Sequence, residues 1–360
     1  MAEHFHTYEG QHRLWRVFGS APGRPHVKRS DPRADVVRFD RQCFPAEEPL
    51  LIELAGLGMT RIPAVRGAGR SGGPQPRSRL VQDYIEGTTL AEVSPPGTPV
   101  ASRHLRDIVE RFRQLADVRV ADVTTERTCS ARHRAPDGDT GSFLATLLTF
   151  TRERGYDQRR ARYGPLFDAL AIPPTSLDSG SALYNEAKGL TPRPFCLLHG
   201  DLHRANFVVD HADGGLWTID WELAMLGDPV YDLATHLHLM RYPEQQEAEL
   251  THRWHDAVAR VLPGATDGWQ QDLPHYLAYK RAQSVFTDVV RQAQKLEATA
   301  PEDLPVRLRD TAETVHALLR QAADVLRPAR VPDPGDVAAA YREHVLGAPP
   351  APAPPSAGGG

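Results

Sequence analysis

Up to about residue 84, apolar positions fall in short runs separated by small and turn-forming residues; beyond it they recur mostly at helical spacing. His12 to Phe18, with Leu14, Val17 and Phe18, predicts a strand. Arg24 to Arg29 predicts its return strand, and Asp35-Val36-Val37-Arg38-Phe39 a third. Gly19-Ser20-Ala21-Pro22-Gly23 and Asp31-Pro32 supply the turns between them. Glu47 and Glu48 open an apolar helix carrying Leu50, Leu51 and Leu54. Phe195 to Leu198 reads as a buried strand, and His199 to Ala205 as a polar loop. Phe207-Val208-Val209 and Leu216 to Ile219 form a hairpin around the Asp213-Gly214-Gly215 turn. Leu105, Ile108, Val109, Phe112 and Leu115 keep helix spacing, as do Phe143 to Arg154, Glu244 to Leu262, Leu273 to Leu296 and Leu304 to Leu326. Val337 to Leu346 predicts a last short helix capped by Asp336. Gly67 to Arg79 reads as a loop, and the Pro/Ala/Gly-rich stretch from Gly347 to Gly360 as disordered.

Composition narrows the class. The chain has 360 residues, 41% of them hydrophobic, enough for a large core, and no unbroken apolar run of membrane length. The start is polar and lacks a signal-peptide core. Cys43, Cys129 and Cys196 are too widely spaced for a zinc site or a disulfide framework, which fits a cytoplasmic protein. A net charge of −4 argues against a nucleic-acid partner. No G-x-x-x-x-G-K-[ST] occurs, which excludes a P-loop kinase.

The chemistry concentrates in Asp201, Asn206 and Asp220. The hairpin brings Asn206, at its entrance, beside Asp220, at its exit, with Asp201 in the loop just ahead. Mg²⁺ takes a few hard protein oxygens and completes its shell with water and phosphate, so Asn206 and Asp220 suit it. Asp201 is left to accept or orient a proton, the division of labour of phosphoryl transfer. A rival reading makes His199, Asp201 and His203 alternate-residue metal ligands of a hydrolase. It leaves Asn206 and Asp220 without a role, and His199 and His203 then read as loop supports. Asp228-Pro229 is a helix start, with Asp228 as N-cap and Leu233, Leu237 and Met240 on one face. Asp232 lies in the first turn, where the helix dipole favours a carboxylate.

His199-Gly200-Asp201-Leu202-His203 through Asn206, then Ile219-Asp220-Trp221-Glu222, then Gly227 to Ala234, closely resembles the aminoglycoside phosphotransferase and choline kinase-like family. The resemblance implies an α+β, bilobal protein-kinase-like fold, with a small β-rich N-terminal lobe and a larger, mainly helical C-terminal lobe. It implies Asp201 as catalytic base, Asn206 and Asp220 as Mg²⁺ ligands, and Asp232 as a brace for the loop. It also implies ATP or GTP as co-substrate, with the glycine turn at Gly19 and Ser20 over the phosphates. Leu80 to Gly87 then resembles the last strand of the first lobe and the hinge, with backbone near Gln82, Asp83 and Tyr84 contacting the purine.

The family's phosphate-holding lysine is expected on the third strand, where this chain has Arg38; arginine can grip phosphate bidentately. Lys28, one of four lysines, is the rival contact. Glu47 is placed to pair with the basic residue of the third strand. The domains implied are 1–84 for nucleotide, 85–330 for catalysis and substrate, and 331–360 for a short helix and tail. Tyr276, Tyr279, Val285 and Phe286 are core or pocket residues, and Asp288, Glu297 and Glu222 are candidate partners for a substrate ammonium. The expected function is phosphorylation of a hydroxyl on an antibiotic or related metabolite, in antibiotic inactivation or self-resistance, by a monomer or homodimer. A choline- or sugar-type metabolite kinase and a nucleotide-binding pseudokinase scaffold are the alternatives.

Overall fold

The structure is a computed structural model describing residues 4–9, 13–19, 26–32, 42–67 and 80–347. Ser20, Arg38, the expected third strand, nearly all of the Gly67 to Arg79 loop and the tail beyond Gly347 lie outside the described residues.

The chain begins with β1 (His4–Glu9), β2 (Arg13–Phe18) and β3 (Val27–Pro32), then helix α1 (Glu47–Gly56), β4 (Val65–Gly67) and β5 (Leu80–Asp83). These strands form one antiparallel sheet in the order β1-β2-β3-β5-β4. Glu47, Leu50, Leu51 and Leu54 of α1 are buried, a spacing of three and four residues that puts them on one helical face. Each buried leucine contributes roughly 1.5–3 kcal/mol of apolar transfer.

The sheet departs from the sequence reading in two places. Strand β1 was not anticipated: HFHTYE has no apolar run, and it lies at the sheet edge, where little burial is demanded of it. The return strand is Val27–Pro32 rather than Arg24 to Arg29, because it registers with β2 from Phe18↔Val27 to Arg13↔Pro32. Among the described residues Val27 and Lys28 also pair with β5, opposite Asp83 and Gln82.

Five strands follow: β6 (Gly87–Thr89), β7 (Cys196–Leu198), β8 (Phe207–Asp210), β9 (Leu216–Thr218) and β10 (Met225–Gly227). Strands β6, β8 and β9 make one sheet in that order, and β7 pairs with β10. The predicted hairpin is present, with Gly214 at φ +71° and its N–H donated to Asp210 O.

The helices are α2 (Leu90–Val93), α3 (Ser102–Asp117), α4 (Thr140–Thr151), α5 (Arg160–Ala169), α6 (Ala182–Ala187), α7 (Pro229–Met240), α8 (Glu244–Val261), α9 (Trp269–Glu297), α10 (Leu304–Gln321), α11 (Ala323–Leu326) and α12 (Pro334–Gly347). The stretch predicted as one helix from Leu304 to Leu326 is divided at Ala322 between α10 and α11. Helix α12 is capped by Asp333, not Asp336: the Asp336 N–H donates to Asp333 Oδ1 at 2.9 Å. Asp333-Pro334 repeats the signal read correctly at Asp228-Pro229.

Contacts divide the chain into two compact units, Met1–Leu147 with Glu186–Leu277, and Leu148–Asn185 with Ala278–Gly360. The first holds the sheets, α1, α3, α7 and α8. In the second, Phe167 stacks on Phe286 at 5.5 Å, and Tyr279 and Thr151 share a hydroxyl hydrogen bond of 2.9 Å. No helix of the described residues is long and apolar enough to cross a membrane.

Candidate active site

The loop from His199 to Asn206 leaves the buried strand β7 and enters β8. Gly200 permits the turn: its φ is +80°, and a Cβ there would lie 2.6 Å from Leu223 O. Helix α7 holds the loop from below. Asp232 accepts the N–H of His199 at 3.0 Å and that of Gly200 at 2.8 Å, from a fully buried position in its first turn. Asp228 caps the same helix through the Val230 N–H and accepts the Tyr276 hydroxyl at 2.7 Å. Arg193, wholly buried, pairs with Asp228 and Asp272. Burial pushes the Asp228 carboxyl up to about 6 against the opposing pull of Arg193.

Asn206 donates its amide to the Asp201 carbonyl at 2.9 Å and to the Asp201 carboxylate at 3.1 Å. The Asn206 amide oxygen remains as an acceptor. His203 lies 3.2 Å from the same carboxylate oxygen through Nε2, while its Nδ1 accepts the Ala205 N–H. Burial lowers the His203 pKa, but the bond to Asp201 and the charges of Asp201 and Asp220 outweigh it and raise the group above its ordinary value.

The hairpin exit is joined to this loop twice. The Ile219 N–H donates to Asn206 O at 3.0 Å, and His199 Nε2 donates to Ile219 O at 3.1 Å. His199 is fully buried and packs edge-on to Trp221 at 4.7 Å; burial lowers it to about 4, so it is neutral and supports the loop. Asp220 then adopts φ +65°, the left-handed region where aspartate is among the tolerated residues. Burial raises its carboxyl to about 8, and the neighbouring charges of Glu47, Glu222 and Asp201 add to that, with Lys28 opposing. Four carboxylates thus share one pocket of charge. Among the described residues no three His, Cys, Asp or Glu side chains could hold a metal ion alone.

Glu47 is buried, but the partners seen for it are not on the third strand. It accepts Gln82 Nε2 at 2.7 Å and the Trp221 N–H at 2.9 Å, tying α1 and β5 to the residue after Asp220. The Arg38 pairing lies outside the described residues. Lys28 is buried on β3 in register with Gln82, its ammonium 4.1 Å from the centre of the Trp15 ring, and its charge is felt at Asp220. The Asp83 N–H donates to Ala64 O and the Tyr84 N–H to His26 O, so both amides belong to the sheet. The Asp83 carboxylate holds Arg66 bidentately at 2.5 and 2.8 Å. Gly19 directly follows β2, and its neighbour Ser20 is outside the described residues.

Three further residues escaped the sequence reading. Arg111 is buried on α3 and donates to Thr218 Oγ1, Thr60 O and Arg61 O; burial lowers it to about 10, still cationic at neutral pH. Arg204 donates to Met240 O, Ser94 O and Thr98 O. His236 of α7 reaches Leu202 O at 2.8 Å. The only signal for the last was its spacing, one helical turn after Asp232. Of the ammonium candidates, Glu222 accepts from Gln42 at 3.4 Å, Asp288 pairs with Arg291, and Glu297 with Arg162 and His344. Tyr276, Tyr279, Val285 and Phe286 are fully buried.

The model of the APH phosphotransferase enzyme family matches residues 26–271, and the chain belongs to that family. It is a phosphotransferase with the α+β, bilobal protein-kinase-like fold. Among solved structures, choline kinase LicA from Streptococcus pneumoniae is similar at 14% identity and a TM-score of 0.50, over 91% of this chain and 93% of that one. Amicoumacin kinase hAmiN, solved with AMP-PNP, Ca²⁺ and Ami, is similar at 11% identity and a TM-score of 0.50, over 90% of each chain. At these identities the likeness is one of fold. No curated protein matches the sequence.

Proposed function

We propose that this phosphotransferase moves the γ-phosphoryl group of ATP or GTP to a hydroxyl of an antibiotic or related hydroxylated metabolite. The observation that carries the reading is the Asn206 amide bonded to both the carbonyl and the carboxylate of Asp201, with Asp220 joined to the same loop. Asp201 accepts the hydroxyl proton as that oxygen takes the phosphoryl group and the nucleoside diphosphate leaves. Asn206 and Asp220 hold Mg²⁺, which supplies charge neutralisation for the phosphates. The crowding of Glu47, Glu222 and Asp201 around Asp220 favours a cation there. Lys28, buried near Asp220, supports the nucleotide phosphates, and Arg38 is the second candidate. On this reading residues 1–84 form the nucleotide lobe and residues 85–330 the catalytic and substrate lobe. With Asp83 and Tyr84 amides committed to the sheet, the donor to the purine falls to the residues after Tyr84.

The test is a panel of hydroxylated antibiotics, choline and sugars, each incubated with Mg²⁺ and ATP or GTP and read by mass for a gain of phosphate. A phosphorylated product is expected, with its rate cut about 10²–10⁴-fold in Asp201→Ala. A panel with no product would overturn the reading and leave a nucleotide-binding scaffold; an Asp201→Ala variant of undiminished rate would overturn the assignment of Asp201 as base.

A further inference from the structure

Helix α7 meets the catalytic loop at three successive turns. Asp232, His236 and Met240 stand four residues apart on one face. Asp232 takes the His199 and Gly200 N–H groups, His236 meets the Leu202 carbonyl at 2.8 Å, and the Met240 carbonyl takes Arg204 Nε at 2.9 Å. The residues held are 199, 200, 202 and 204; those left facing the site are Asp201 and His203. The acid at the first turn belongs to the helix start already described. The imidazole at the second turn has no part in the proposed reaction.

We infer that His236 is a positioning residue for phosphoryl transfer: its Nδ1–H pins the Leu202 carbonyl and thereby sets where the Asp201 carboxylate stands. The inference rests on Asp201 being the base. A carbonyl can only accept, so Nδ1 carries the proton, and Nε2 accepts the Tyr242 hydroxyl at 2.9 Å. Both ring nitrogens are therefore used, in one tautomer. The ring is fully buried and edge-on to Phe112 of α3 at 5.1 Å and to Phe207 of β8 at 6.3 Å, which fixes its plane. Burial, with Arg204 and His203 nearby, keeps it neutral. Leu202 is itself wholly buried, so without His236 its carbonyl would lose the partner that water cannot easily replace. An apolar residue would fill the same space, but it would leave the peptide between Leu202 and His203 held only by the His203 N–H on Asp201 O, at 2.9 Å.

Two variants of the full chain separate this from a merely space-filling histidine. His236→Asn sets an amide nitrogen where Nδ1 stands and can still donate to Leu202 O. His236→Gln sets its amide near Nε2, keeping Tyr242 and giving up Leu202. Amide hydrogen exchange over residues 199–206 should stay within about threefold of the parent in the Asn variant and quicken roughly tenfold or more in the Gln variant. Exchange in α8 and α12 should be unchanged in both. Phosphate release from Mg²⁺–ATP should follow the same order in kcat at constant KM. Equal loop exchange in the two variants, or quickening spread over the whole chain, would overturn the inference. Asp201→Ala keeps the loop protected in either case, so failure of the base assignment shows in activity alone.

Discussion

Replacing Asp232 by Asn exchanges a carboxylate for an amide of the same shape at the buried foot of the catalytic loop. In the parent, the two oxygens accept two main-chain N–H groups, at 3.0 and 2.8 Å. After the change one oxygen still accepts, while the new NH₂ faces an N–H and neither can accept. A charge-assisted hydrogen bond of roughly 1.5–3 kcal/mol is lost, and a buried donor left without a partner costs about 1–3 kcal/mol more. Relief of the buried carboxylate's desolvation returns part of this, so the net loss should be about 2–4 kcal/mol, a factor of roughly 30 to 1,000 in the folding equilibrium. Urea unfolding followed by tryptophan fluorescence measures it, because Trp221 is buried beside His199. The midpoint should fall with the slope unchanged. Phosphoryl transfer should also drop in kcat, since the loop carrying Asp201 loses half of that brace. A stability loss below about 1 kcal/mol would refute the assignment of both N–H groups to this carboxylate.

Two further outcomes follow from the site. Lys28→Ala should raise the KM for nucleotide by about tenfold or more through loss of a cation from the phosphates, whereas Arg38→Ala should change it little; steady-state kinetics with ATP and GTP decides, and the reverse order would give the phosphates to Arg38. The second concerns pH. His236 is neutral in the fold, with its pKa lowered to about 3, while the unfolded side chain takes up a proton near 6.5. Its contribution to stability is therefore whole above about pH 6.5 and is lost as pH falls toward 3. Urea unfolding of the parent and of His236→Asn should show the parent's lead shrinking by about 2 kcal/mol between pH 7 and pH 5; a gap that widens as pH falls would contradict the neutral tautomer.

The order of residues by itself carried the loop, the hairpin and the start of α7. These are local: Gly200 and Gly214 mark turns only glycine makes cheaply, and Asp228-Pro229 announces a helix within two residues. Asp201, Asn206 and Asp220 lie within twenty positions, and one hairpin suffices to join them. The same local signal stands at Asp333-Pro334, where Asp333, not Asp336, caps α12. What only the tertiary structure decided is long in range. Glu47 reaches the Trp221 N–H across 174 residues, and Arg193 reaches Asp272 across 79. Lys28 came to the site because β3 registers between β2 and β5, and a shift of one residue would have turned it to the other face. His236 carries no motif at all. Its role depends on which way a buried helix face is turned, and that is settled by packing against Phe112 and Phe207, not by the residues beside it in the chain.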